Sequence, residues 1–277
     1  MARIVVVGTV GLDRVWKLDR PLRAGGRHAC EGVMTRLGGG GFNTGDVLVG
    51  LGHEVTLVTN LADDEAGRWC RATLDERGFD TRFVGMAPGS TVVTEILVEP
   101  AGERTILRRA GPRPLDGLML PSIDADGAYF NVRRLNPAAA VPLTRFPRIV
   151  SQIPMELGEV RPADVLIASR SDVPESAAAV LWRDGVAISG SRLETIVLTN
   201  GPYPVTVIER DRAVHVAAMP VISAGDTTGA GDFFAAGYMD AALAGWESSE
   251  AARIGCVVAA RRLGARQDSI TARGLGV

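Results

Sequence analysis

Lysine is almost absent from this 277-residue chain: of its 30 lysine and arginine residues only Lys17 is a lysine, and the other 29 are arginines. A phosphate-binding P-loop needs a lysine at the end of its glycine turn. Lys17 follows no such turn, and it sits between Trp16 and Leu18 without the pattern of a pocket, which argues against both P-loop and Schiff-base chemistry. Histidine is nearly as scarce. His28, His53 and His215 are widely spaced, so a zinc site or a His-dependent triad would have to assemble from distant segments. Cys30, Cys70 and Cys256 are odd in number and lie outside metal-ligand spacing, which reads as a reducing compartment without a disulfide framework. No run of about 18 uncharged apolar residues is present to span a membrane. Residues 3–8 come too early and are too few for a signal segment. A formal net charge of -2 gives no electrostatic case for nucleic acid or an anionic membrane as partner. The expectation is a cytoplasmic, soluble protein.

What is present is 46% hydrophobic residues and 33 glycines in a length that suits one large α/β domain. Ile4 to Val7, Val55 to Val58, Tyr129 to Val132, Ile149 to Ile153, Val165 to Ala168 and Ile196 to Thr199 are mostly apolar runs, the pattern of strands buried on both faces. Between them Glu65 to Arg77, Glu175 to Arg183, Gly229 to Ala244 and Ser249 to Leu263 carry helix-length patterns. The alternation predicts an α/β fold, a doubly wound, mostly parallel sheet with helices on both faces. Two segments depart from it. Residues 12–37 and 91–109 read as antiparallel ribbon, the second turning at Pro100-Ala101-Gly102, and predict a small β-sheet lid subdomain within a single domain covering 1–277. Pro137, Pro142 and Pro147 recur every five residues, which predicts loop where a crossover helix would otherwise lie.

The densest chemistry lies at residues 226–232, Asp-Thr-Thr-Gly-Ala-Gly-Asp, leading into the small-residue apolar stretch Phe233 to Met239. Glycines at a first helical turn let a phosphate approach bare backbone N–H groups, and the helix dipole adds positive potential there. Asp232 would stand beside such an anion. A carboxylate repels a phosphoryl group as a binding contact but serves as a base that takes the proton of an attacking hydroxyl. The same residues would also suit a helix capped by Asp226 or Thr227, with glycines for close packing; composition does not separate the two readings.

Asp226 to Asp232 resembles the signature of the ribokinase-like carbohydrate kinases, the phosphofructokinase B family. Gly38-Gly39-Gly40-Gly41-Phe42-Asn43, followed by a helix ending near Leu51-Gly52, is similar to that family's sugar-site motif. Gly8 to Asp13 resembles its opening strand, Asn60 to Gly67 its next block, and Gly102-Glu103-Arg104-Thr105 its arginine-bearing lid hairpin. The resemblance implies a kinase moving the ATP γ-phosphate to a hydroxyl of fructose, ribose or a related sugar with Mg²⁺, and admits a monovalent cation such as K⁺ as a further cofactor. It implies Asp232 as the base, Gly229, Ala230 and Gly231 as the anion hole, and Asp13, Gly39, Gly40 and Asn43 as sugar ligands. Arg104, Thr199, Gly201 and Thr227 would border phosphate and nucleotide. By the same analogy, a homodimer would form through the lid.

The chain departs from that pattern in places. Where the family has Asn-x-x-Glu, Ser169-Arg170-Ser171-Asp172 stands, leaving Asp172 as the carboxylate for metal. Gly40 replaces a Lys or Asn, Asn60 a Gly, and Pro204 falls where the nucleotide turn commonly has Gly. Arg253 to Gly264 and the lid hairpin are similar to those of ketohexokinases, which leans the sugar towards a ketohexose. A nucleoside kinase of the same fold and a catalytically impaired nucleotide- or sugar-binding protein are the alternatives; Asp232 weighs against the second.

Overall fold

Strand β1 (Arg3–Gly8) begins the main sheet, and Val5, Val6 and Val7 on it are at most 1% exposed, so both of its faces are covered. Burying each valine contributes about 1.5–3 kcal/mol. The computed structural model describes residues 1–108, 120, 122–132, 145–154, 159–220 and 226–273, with side chains to 265. After β1 come β2 (Gly11–Leu18), β3 (Cys30–Gly38), α1 (Gly40–Gly50), β4 (Glu54–Ala62), α2 (Glu65–Glu76), β5 (Asp80–Ala87), β6 (Val93–Val98) and β7 (Arg104–Arg108). The second half holds β8 (Gly127–Asn131), β9 (Arg148–Gln152), β10 (Val165–Ser169), α3 (Ala178–Ser189), β11 (Thr195–Asn200), β12 (Tyr203–Ile208) and β13 (Ala213–Val216), then α4 (Ala230–Leu243) and α5 (Ser248–Arg273).

Among the described residues nine strands form one sheet in the order β13-β12-β11-β10-β9-β8-β1-β4-β5. Neighbours from β11 through β5 run parallel, while β12 and β13 are added antiparallel. The expected doubly wound sheet is therefore present. Alternate residues of β1 face different cores: Ile4 and Val6 pack with side chains of α1, α2, α4 and α5, whereas Val5 and Val7 face the side where α3 packs. Gly237 of α4 lies against Val258, and Gly255 of α5 against Phe234, so missing side chains let these two helices approach closely. From β1 the chain winds outward to β4 and β5, then returns to β8 on the other side of β1 and proceeds through β9 to β11. In such sheets the crevice beyond the carboxyl ends of the two central strands is the place for a ligand. Here that crevice lies past Gly8 and Asn131, which are register partners.

The second sheet has the order β3-β2-β6-β7. Both ribbon segments join it, with a correction to the purely antiparallel reading: β2 pairs antiparallel with β3 and β6 with β7, but the seam β2·β6 is parallel. Residues 19–29 lie outside its strands. Pro204 is a second correction, since it lies in β12 rather than in a turn, ahead of the first β12–β13 pair, Val205–Val216. It also falls at the register shift of the β11–β12 ladder, between the pairs Asn200–Tyr203 and Leu198–Thr206, the kind of irregularity at which a strand tolerates proline. Arg109, Pro137 and Pro142 fall outside the described residues.

Candidate active site

The glycine run at the start of α1 is shaped by what each residue touches. Gly39 caps the helix at φ +93°, a left-handed conformation that suits glycine, and a Cβ there would overlap the Thr9 carbonyl. A Cβ on Gly38 would overlap the Asp13 carboxylate, and one on Gly40 the side-chain amide of Asn131. The run thus brings α1 down onto the carboxyl end of β1 and leaves room for two polar side chains. Asp13 and Asn43 are both buried, at 5% and 3% exposure.

The second motif builds the N-terminus of α4. Gly229 caps it at φ +84°, Phe233 N–H donates to the Gly229 carbonyl at 2.9 Å, and Asp226 Oδ1 accepts the Thr228 N–H at 2.9 Å. The Ala230 N–H donates to the Thr227 carbonyl at 3.1 Å, so this member of the expected anion hole is engaged within the turn. Asp232 follows in the first turn. Its Oδ2 accepts from Asn43 Nδ2 at 3.0 Å and its Oδ1 from Asn131 Nδ2 at 2.7 Å. Below it Tyr129 on β8 is fully buried; burial, and after it the Asp232 charge, push its phenol up, so it stays neutral.

A cavity of about 700 Å³ opens on one side of this point, within the range for small-molecule ligands. Ala230 and Gly231 line its α4 end, with Thr227 beside them. Thr199 and Gly201 border it at the end of β11, Asp172 after β10, and Gly102 and Arg104 at the β6–β7 turn. Farther in, Met219, Cys256 and Leu263 make an apolar wall. Asp13, Gly39, Gly40 and Asn43 do not line this cavity; they lie where Asn43 and Asn131 reach Asp232, at the crevice of the main sheet. The predicted residues therefore form two groups that meet at Asp232.

The small sheet touches this junction twice. Arg36 on β3, the register partner of Asp13, forms an ion pair with Asp226, and Arg104 Nη1 donates to Thr227 Oγ1. Burial would raise the Asp226 carboxyl, but the Arg36 guanidinium and the Thr228 hydrogen bonds outweigh it and hold it below the usual carboxylate range. Asp64, the N-cap of α2, accepts from Gly67 N–H at 2.7 Å and from Thr91 N–H at 2.7 Å, tying the segment that leads into β6 to the main domain. Sequence reasoning missed Asn131 and the Arg36–Asp226 pair. The available signal for Asn131 was a single amide ending an apolar strand run.

The family model described as pfkB family carbohydrate kinase matches residues 1–112 and 179–272. The chain belongs to that family. It is a phosphotransferase with a carbohydrate alcohol as acceptor. It is 28% identical over 256 residues to the ATP-dependent ribose-1-phosphate kinase of Halopiger xanaduensis, covering 86% of this chain and 84% of the relative. It is 23% identical to the ribokinase of Haemophilus influenzae, covering 93% of this chain and 90% of the relative. Its fold matches that of Arabidopsis thaliana ribokinase, solved with ribose and ATP, at a TM-score of 0.71 and 18% identity, over 94% and 91% of the two chains. No described helix is long and apolar enough to cross a membrane.

Proposed function

We propose that this kinase transfers the γ-phosphoryl group of ATP to a hydroxyl of ribose or a closely related pentose, with Asp232 as general base. The observation that carries the reading is the position of Asp232. It follows directly on Ala230 and Gly231, which line the 700 Å³ cavity, while its carboxylate is bound by Asn43 from the glycine-run helix. A base must reach the acceptor hydroxyl from outside the line of its attack on phosphorus, and a carboxylate set where the cavity meets the glycine-run helix suits that task. ATP fills the cavity, with its base against the apolar wall and its phosphates towards the N-terminus of α4, where Gly231 offers backbone and the helix dipole adds positive potential. Arg104 supplies the cation that a P-loop lysine supplies elsewhere. Asp13, Gly39, Gly40 and Asn43 surround the sugar. The names of the relatives, which cite ribose and ribose-1-phosphate, weight the choice towards a pentose over a ketohexose.

Magnesium fits the residues present. Mg²⁺ is held by one or two carboxylates together with substrate phosphates and water, and Asp172 brings one carboxylate to the cavity wall. When bound there the ion neutralises charge on the transferring phosphoryl group. The four-stranded sheet acts as a lid that excludes water while the sugar is held. Its edge strand β7 exposes Ile106 and Leu107 at 50% and 53%, the surface through which a homodimer would form.

ADP release from Mg-ATP, measured with ribose, ribose-1-phosphate, fructose and nucleosides, tests the reading. The pentoses are expected to give the highest kcat/KM. Asp232→Asn is expected to lower the rate by roughly 10²–10⁴-fold with ATP affinity retained, the usual yield of a general base. No turnover with any acceptor, or full activity in Asp232→Asn, overturns it.

A further inference from the structure

Two amides from distant parts of the chain grip the Asp232 carboxylate. Asn43 on α1 donates to Oδ2 at 3.0 Å, and Asn131, the last residue of β8, donates to Oδ1 at 2.7 Å. The grip on both oxygens fixes the plane of the carboxylate. The two donors are anchored differently. Asn43 rides on a helix whose N-terminus is set by the glycine run, and Asn131 is fixed by strand pairing, opposite Gly8.

Gly40 makes the second grip possible. The three atoms nearest to a Cβ built on Gly40 are the amide nitrogen, carbon and oxygen of Asn131, all in steric overlap with it. We infer that Asn131 is a positioning residue for the base Asp232, and that Gly40 is glycine because the Asn131 amide occupies the space a side chain would take. A glycine that in sequence removes a polar group from the sugar site is, in the fold, the opening through which another polar group enters. The inference rests on the proposed role of Asp232 and adds a second residue to it.

The physical consequences are specific. An N–H donated to a carboxylate favours its charged form, the form a base requires. Removing the donor raises the proton affinity of Asp232 and frees its side chain to rotate. Asn131→Ala is expected to lower kcat about 10–100-fold, to leave the KM for ATP within about twofold, and to move the acid limb of the kcat/KM profile up by about one pH unit, the size of one charge-assisted hydrogen bond. Asn131→Asp keeps the shape of the side chain and sets a second carboxylate against the first, so it should move that limb further in the same direction. Because it is isosteric, it serves as the test if Asn131→Ala fails to fold, judged by thermal melting.

Gly40 supplies the decisive arm. Gly40→Ala should reproduce the kinetic defect of Asn131→Ala when made alone. Made in the Asn131→Ala background and read as kcat at saturating sugar, so that any direct effect of Gly40 on sugar binding drops out, it should add less than about twofold, because the amide it would strike is gone. Multiplying effects, or an unshifted acid limb in both Asn131 variants, overturns the inference. Asp232→Asn made in parallel separates the failures. Full activity in Asp232→Asn removes the base and this inference with it, whereas an inactive Asp232→Asn beside an Asn131→Ala of wild-type rate and profile removes only the inference.

Discussion

The guanidinium of Arg36 and the carboxylate of Asp226 form an ion pair, their side chains 14% and 4% exposed, that joins strand β3 of the small sheet to the turn before α4. Thr227, the next residue, is held by Arg104 from the other hairpin of the same sheet. Both hairpins thus fasten to consecutive residues of the segment that would receive phosphate. Anything that moves this turn moves the small sheet, and the reverse.

Breaking a buried pair at one end leaves a charge without its partner, at a cost of about 3 kcal/mol. Asp226→Asn should therefore destabilise the protein by about 3 kcal/mol at pH 7 in urea titration. The pH dependence has a definite sign. The folded carboxyl is held below the ordinary value of 3.8, so its contribution is complete above that pH and is lost as pH falls through the lower folded value. The stability difference between wild type and Asp226→Asn should begin to shrink as pH falls below about 3.8 and go on shrinking towards the lower folded value; a difference that stays constant from about pH 5 down to about pH 2 contradicts the pairing.

Arg104 is the cation that the β6–β7 hairpin brings to the cavity. Arg104→Ala should lower kcat by about 10²-fold and raise the KM for ATP, within the range seen when a transition-state donor is removed. Arg104→Lys should recover only part of this, because a point charge cannot reproduce a planar fork that meets Thr227 and would meet a phosphate as well. Steady-state kinetics over a range of ATP concentrations read both, and an unchanged rate in Arg104→Ala removes the residue from the site.

Gly38 tests the sugar side. A methyl group there, at the end of β3, meets the Asp13 carboxylate, whereas at Gly50, the last residue of α1, nothing lies within 4 Å. Gly38→Ala should raise the KM for the sugar by about tenfold, roughly 1.4 kcal/mol of lost binding, and leave that for ATP alone. Gly50→Ala should change neither. Equal behaviour of the two variants would take Asp13 out of sugar binding.

The strands read correctly from sequence, β1, β4 and β8 to β11, are those buried on both faces, where an apolar run is the direct outcome of the packing. The strands left unread lie at the margins of the sheet. β5 carries Asp80 and Arg82 on an edge, and β12 opens with exposed Tyr203 and Pro204, so neither shows the two-sided apolar signal. The two glycine motifs were legible because their composition is unusual along a continuous stretch. Asn131 was not, since a single amide ending a strand acquires meaning only when the winding of the sheet sets that strand beside β1. Gly40 shows the same limit: in sequence it is a missing polar group, and in the fold it faces the amide of Asn131. The Arg36–Asp226 pair joins residues from opposite ends of the chain, beyond the reach of local pattern.

Cys256 allows the position of the nucleotide to be checked without turnover. It lines the apolar end of the cavity, and burial pushes its thiol up, so little thiolate exists at neutral pH. Cys30 is exposed and would be alkylated first, so the measurement belongs in Cys30→Ser protein. There iodoacetamide should label Cys256 slowly at pH 7.5 and faster as the pH rises, and saturating Mg-ATP should slow the reaction about tenfold or more by covering the thiol. Cys70 is the internal control: it is a buried residue of α2, and burial, with the Asp64 charge second, pushes its thiol up to about 11. It lies outside the cavity, so nucleotide should leave its labelling unchanged. Peptide mass spectrometry separates the two sites. Equal labelling of Cys256 with and without Mg-ATP would move the nucleotide out of this cavity, and with it the alignment of the γ-phosphate towards Asp232.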